Sequence, residues 1–173
     1  MNLNVTRLSS PAPGTTPARR IAAPADILFS TGKSALGTVL VARSVNGICA
    51  ILLGASVGGL KRDLAARFPK NRLARNDAKL HDDLQKVLRF IETPSDHLDL
   101  TLDVRGTPFQ RRVWLAARIG QPKSVRAVAN ACAANAIALA IPCHRVVRSD
   151  GTFSGYRWGV ERKRALIEME AQK

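Results

Sequence analysis

The chain has 173 residues, 27 of them lysine or arginine and 13 aspartate or glutamate, for a formal net charge of +14 at pH 7. An apolar share of 46% is that of an ordinary globular protein, enough to build one domain or two small ones. No run approaches the roughly 18 apolar residues of a membrane span, and three cysteines without a secretory leader suit a reduced, cytoplasmic chain.

The positive charge is uneven. Residues 1–104 hold 14 basic and 9 acidic residues, whereas residues 105–173 hold 13 and 4. The excess favours a polyanionic partner, because each neutralised phosphate releases counterions. The C-terminal part is therefore the expected nucleic-acid face.

Residues 1–26 contain Pro11, Pro13, Pro17 and Pro24 among small polar residues, a composition that predicts a flexible tail. Leu36–Ala42 and Gly47–Leu53 are apolar and partly β-branched, with Asn46-Gly47 between them as a hairpin signal. Gly59–Phe68 has helical spacing and stops at Pro69. Asp77–Ile91 carries Leu80, Leu84, Val87, Leu88 and Ile91 on one helical stripe. His97–Val104 alternates Leu98, Leu100, Leu102 and Val104, which predicts a third strand. The expected fold is α+β: a small three-stranded sheet with helices over 27–104, then a mostly helical part over 105–173.

In that second part Thr107 can cap a helix that has Pro108 at its first position and Phe109, Val113 and Trp114 inside. Ser124–Ala134 predicts a short helix bearing Arg126, and its alanines permit close approach to another backbone. Two helices across a glycine-containing turn predict a helix-turn-helix. Val160–Ala171 predicts a last helix with Leu166 and Ile167 facing a core.

The chemistry concentrates in Ile141–Val147, IPCHRVV. A thiolate is a strong nucleophile, and a histidine beside it can take its proton if a carboxylate orients the ring. Glu168 and Glu170 are the available acids. A buried inert cysteine beside a surface histidine is the plain alternative. Cys49 and Cys132 are expected to be packing residues, and His81 and His97 show no metal-ligand spacing.

FSTGKSALGTVLVARSVNGICAILLG, RGTPFQRRVW and IGQPKSVRAVANACAANAIALAIPCHRVVRSDGTFSGYRWGVERK together resemble the O6-alkylguanine-DNA alkyltransferase family over about residues 27–170. The resemblance implies a ribonuclease-H-like unit at 27–104 and a winged-helix-like helix-turn-helix at 105–173. It implies repair by direct reversal: Cys143 accepts an alkyl group from O6 of guanine (or O4 of thymine) in duplex DNA, once and irreversibly. His144 would take the thiol proton through a water, Glu170 would complete the relay, and Asn135 would brace the turn around the cysteine. Arg126 would enter the duplex and fill the gap left by a flipped base, with Ser124, Ala127 and Arg145 also at the DNA. Tyr156, Val146, Ser154, Arg157 and Lys163 would form the base pocket. The implied partner is alkylated double-stranded DNA, met by a monomer without metal or organic cofactor, in the cytoplasm or on a nucleoid.

The physics of base repair agrees with that scheme. A stacked base cannot present O6 to a thiol, so the nucleotide must leave the stack. Displacement at a methyl carbon depends on positioning and leaving-group stabilisation.

One departure stands out. Family members carry a helix-and-turn segment with an IP.G.T.SY run where Trp114 here leads directly into Leu115. The tyrosine it supplies has no obvious replacement, since Tyr156 is the only tyrosine. A zinc-binding N-terminal module found in some members is also not recognisable, so phosphotriester repair is not expected. Lesion binding with impaired transfer is the alternative function, followed by a sequence-specific regulator and, last, a Cys-His hydrolase.

Overall fold

A computed structural model describes residues 27–94, 98–119, 125–148, 152–153 and 155–171, without the side chains of 115–119, 125 and 126. The expected tail, Ser124, Ser154 and the Arg126 side chain lie outside the described residues, as does the turn between the two helices of the expected helix-turn-helix.

Four strands form one sheet: β1 (Ile27–Ser34), β2 (Gly37–Ser44), β3 (Gly47–Gly54) and β4 (Leu73–Arg75), in the order β3-β2-β1-β4. β1, β2 and β3 pair antiparallel, while β4 runs parallel to β1. Both hairpins follow one local rule. Ser34 and Ser44 each use the hydroxyl to accept from the amide two residues on, at Leu36 and Asn46, and a glycine follows in the next position. Gly37 and Gly47 take φ of +98° and +138°, a region L side chains rarely adopt. A Cβ on Gly47 would lie 2.6 Å from the Thr101 carbonyl oxygen.

Helices α1 (Val57–Arg67) and α2 (His81–Glu92) cover opposite faces of the sheet. Lys61 of α1 lies over the Phe29 ring, whereas Leu84 and Leu88 of α2 pack on Gly32, a position of opposite parity on β1. β2 and β3 are accordingly buried almost throughout, which is why they read as continuous apolar runs rather than alternating ones. Ser56 caps α1 by accepting from Gly59 N at 3.2 Å, and Phe68-Pro69 ends it.

The second half adds α3 (Pro108–Ile119), α4 (Val125–Ala134), a one-turn 3-10 helix at Cys143–Arg145, and α5 (Val160–Ala171). Thr107 and Gln110 close a reciprocal capping box at the start of α3. α3 is continuous through Trp114-Leu115, and Trp114 ties it to α4 by donating from Nε1 to Ala131 O at 2.8 Å.

The α+β class stands, but the sheet has four strands, not three. The expected strand over 98–104 does not form. Leu100 N bonds back to Leu98 O, and only Leu102 makes a single parallel bridge to Ile48. Its leucines are instead recruited to the core, with Leu100 buried. β1 carries no clear strand signal in the sequence because Ser30, Thr31, Gly32 and Lys33 dilute its apolar pattern. α2 begins at His81 and not Asp77, whose carboxylate is taken by Ser30 and Arg75. Phe109, expected inside α3, is 43% exposed.

Gly47→Ala should lower unfolding free energy by about 1–3 kcal/mol, through backbone strain and the clash with Thr101. Gly58→Ala, in the first turn of α1, where an added Cβ would make only ordinary contact with Arg62 Nη1 at 3.6 Å, should change it by less than about 1 kcal/mol. Urea unfolding of both variants checks the contrast; equal effects would contradict the turn argument.

Candidate active site

The site is built where the chain leaves α4. Asn135 is fully buried, and its amide nitrogen lies 3.3 Å from Ile137 O, 3.1 Å from Ile141 O and 3.3 Å from Cys143 Sγ. Its oxygen accepts from Ile137 N at 2.8 Å. One side chain therefore holds both ends of the turn 136–141 and touches the sulfur. The turn contains Leu139 at φ +68°, an unusual conformation for a branched residue that survives because the surrounding bonds impose it. The turn is itself anchored on the sheet: Ile51 of β3 donates to Ala136 O and accepts from Ala138 N.

Cys143 begins the 3-10 turn and is 4% exposed. The neighbouring Cys132 thiol and burial push the Cys143 thiol well above its ordinary range, while Asn135 and the charge of Lys163 pull it back. Cys132, expected to be mere packing, is thus an electrostatic neighbour of the nucleophile. Its spacing of three residues from Asn135 on a helical register was the available signal.

His144 is fully buried and its Nε2 lies 2.9 Å from Glu170 Oε1 on α5. Its Nδ1 is buried with no hydrogen-bond partner among the described residues. Arg145 grips the same carboxylate through its side fork, Nε to Oε2 at 2.9 Å and Nη2 to Oε1 at 3.0 Å. Arg145, expected at DNA, is thus engaged with Glu170 while 44% exposed. Glu170, the more remote of the two candidate acids, is only 18% exposed despite its place in the last turn of α5. Burial alone would raise its carboxyl; the hydrogen bonds and charges of His144 and Arg145 prevail and hold it at about 2 against an ordinary 4.5.

Lys163 is 1% exposed and donates from Nζ to Val146 O. Burial lowers its pKa, and the two nearby sulfurs act in the opposite sense. Tyr156 packs edge-on to His144, with ring centres 6.4 Å apart, and edge-on to Trp158 at 5.1 Å. Burial, followed by the Cys143 and Glu170 charges, pushes its hydroxyl pKa up. Arg157 is not directed at the sulfur: it reaches Asp63 Oδ1 at 2.6 Å and Ala133 O at 3.3 Å, joining α1 to the end of α4. Ala127 is half-buried on α4, eight positions before Asn135. Among the described residues, no cluster of three or more His, Cys, Asp or Glu is placed to hold a metal ion.

The structure thus brings Cys143, His144, Glu170, Asn135, Val146, Lys163 and Tyr156 together. A buried thiol beside a histidine oriented by a carboxylate is suited to nucleophilic displacement.

Residues 113–172 match the family described as 6-O-methylguanine DNA methyltransferase, DNA binding domain. The chain is 44% identical over 162 residues to the bifunctional transcriptional activator/DNA repair enzyme Ada of Escherichia coli, covering 84% of this chain and 46% of that protein. It therefore spans less than half the length of that relative. It is 32% identical over 157 residues to a methylated-DNA--protein-cysteine methyltransferase of Candida albicans, covering 77% of this chain and 90% of that protein. The fold superposes on Mycobacterium tuberculosis OGT in complex with DNA with a TM-score of 0.67, at 26% identity, over 84% of this chain and 93% of that one. With a buried Cys143–His144–Glu170 array and these relatives, the chain belongs to the methylated-DNA--protein-cysteine methyltransferase family.

Proposed function

We propose that this protein repairs duplex DNA by moving an alkyl group from O6 of guanine onto Cys143, once per molecule. The observation that carries the reading is the 2.9 Å contact of His144 Nε2 with Glu170 directly after a cysteine held by Asn135. With Nε2 donating to the carboxylate, the neutral ring presents Nδ1 as an acceptor. That nitrogen takes the Cys143 proton, through a water, as the sulfur attacks the alkyl carbon. The S–C bond forms as the O6–C bond breaks, and the electron pair returns to the purine, which is protonated to guanine. The thioether is stable, so nothing regenerates the thiol.

The local charges serve this step. Burial and Cys132 hold the Cys143 thiol above its ordinary range, so its proton has to be taken by His144 as the sulfur attacks. Lys163 lends positive charge near the sulfur as the thiolate develops, and by holding Val146 O it shapes the wall beside it. Tyr156 forms an aromatic wall against His144. Ser154 and Arg157 complete this pocket, Arg157 by fixing the loop to α1 and α4 and not by reaching the base.

Residues 105–173 act in this reading as a winged-helix-like DNA-docking unit, set against a ribonuclease-H-like unit at 27–104. α4 is its recognition helix. Arg126 near its start fills the place of the flipped base, Ser124 and Ala127 lie along the backbone, and Arg145 presents its exposed edge. The protein works as a monomer in the cytoplasm without cofactor. Among the described residues no helix is long and apolar enough to cross a membrane.

Incubation with duplex carrying O6-methylguanine should place one methyl group on the Cys143 peptide by mass spectrometry, in a burst that stops at one per protein. Binding of the lesion without any adduct, under excess substrate, would instead favour the lesion-binding alternative.

The carboxylate gives a second test. Because the folded-state pKa of Glu170 is depressed, its stabilisation is present above about pH 4.5 and is lost as pH falls toward about 2. Glu170→Gln should flatten stability over that acid window and slow transfer at neutral pH by about 10- to 100-fold, as loss of a group orienting a general base does. Acid unfolding curves indistinguishable between the two proteins would show that the carboxylate is not engaged.

A further inference from the structure

Residues 57–75, from α1 through the following turn to β4, hold Lys61, Arg62, Arg67, Lys70, Arg72 and Arg75 against one acid, Asp63. That acid is already engaged. Arg157 Nη2 lies 2.6 Å from it and Arg67 Nε 3.5 Å, so one carboxylate serves two guanidinium groups. Arg75 is closed on Asp77. Lys61, Arg62 and Lys70 are exposed and form no ion pair among the described residues. Like charge on Lys61, Arg62 and Lys70 opposes folding through self-repulsion, which a polyanion relieves.

These cations share one edge of the molecule. Lys61 Nζ lies 5.8 Å from the centre of the Phe29 ring, and Phe29 is the register partner of Arg75. Lys70 and Arg72 stand in the turn between α1 and β4, pinned by Asn71 N to Phe68 O and by Ile27 N to Arg72 O. The edge also meets α4. Arg67 Nη1 reaches Ala134 O and Arg157 Nη1 reaches Ala133 O, both at the C-terminal end of that helix. Arg126 is near the other end of α4. Ten residues at about 1.5 Å each separate the two ends by about 15 Å, or roughly four to five base-pair steps of duplex.

The partner's chemistry follows from what the edge lacks. The large apolar side chains exposed among the described residues are Val45, Phe109, Val147 and Val160, none of them in 57–75. A peptide partner needs a buried apolar anchor, whereas a phosphodiester backbone needs only positive charge. We infer that the α1–β4 edge is a second phosphate-backbone contact, gripping the duplex that flanks the site addressed by α4. The inference rests on the proposed function only in taking duplex DNA as the partner.

Lys61→Gln/Arg62→Gln and Lys61→Gln/Lys70→Gln remove charge without touching Asp63, Arg67, Arg157 or any residue at Cys143. Affinity for unmodified duplexes of about 25 and about 10 base pairs would be followed against salt. On the longer duplex each double variant should lower the slope of log affinity against log salt by about two, with a several-fold loss of affinity. On the shorter duplex neither should change, and methyl transfer from a short lesion-bearing duplex should keep the parent rate. An unaltered slope on the longer duplex would overturn the inference. So would an equal loss on both lengths, or parent binding to poly-glutamate stronger than to duplex. If the parent protein transfers no methyl group from either duplex, the proposed function fails while the salt slope still decides this inference.

Discussion

The side-chain amide of Asn135 is the interaction on which the rest of the site depends. A buried carboxamide is costly unless satisfied, so the surrounding chain must bring it partners. Those partners are the Ile137 and Ile141 carbonyls, the Ile137 amide and the Cys143 sulfur. Meeting them forces the tight turn with Leu139 in the left-handed region and delivers the sulfur to the end of α4. The same turn hydrogen-bonds to Ile51 of β3, so the sheet sets the height at which the sulfur stands. The nucleophile, the proposed recognition helix and the sheet thus form one mechanical unit, with the asparagine at its centre.

Around that unit the charges are arranged asymmetrically. Glu170 faces one buried imidazole and one half-exposed guanidinium, and is kept ionised by both. Arg145 therefore limits how much proton the carboxylate can accept, which suits it to orienting His144 without taking the proton itself. On the other side, the Cys143 thiol is crowded by Cys132 and by burial, and only Lys163 and Asn135 favour its anion. Such a thiol is protected from casual oxidation.

Much of the site was legible in the linear sequence because its residues are nearly consecutive. Cys143, His144 and Asn135 fall within ten positions, and local turns can bring groups at that spacing together. The residues alone left Glu168 and Glu170 equal as candidate acids, and only the family resemblance implied Glu170. Whether the last turn of α5 faces solvent or His144 depends on how α5 docks against the 3-10 turn. The pairing of Arg145 with Glu170, and of Arg157 with Asp63, was hidden for the same reason: each spans 25 residues or more. The sheet shows the complementary failure. β2 and β3 announce themselves as apolar runs, while β1 is polar in half its length and is strand only because β2 and β4 pair with it on either side. The leucines of 98–104 show the right alternation and yet form no strand, since the local bond from Leu100 to Leu98 bends the chain away.

The sequence by itself determined the α+β class, the basic character of the molecule, the hairpin closed by Asn46-Gly47 and the choice of Cys143 as the candidate nucleophile. These are local properties: side-chain period, backbone freedom at Gly47, and adjacency in IPCHRVV. Only the tertiary structure decided which acid serves His144, that Arg145 spends its fork inside the protein, and that Cys132 presses on the nucleophile. It also decided that α1 and β4 lay their cations along one edge. Those outcomes depend on which distant groups meet when helices close on a sheet, and a one-dimensional pattern carries no record of that distance.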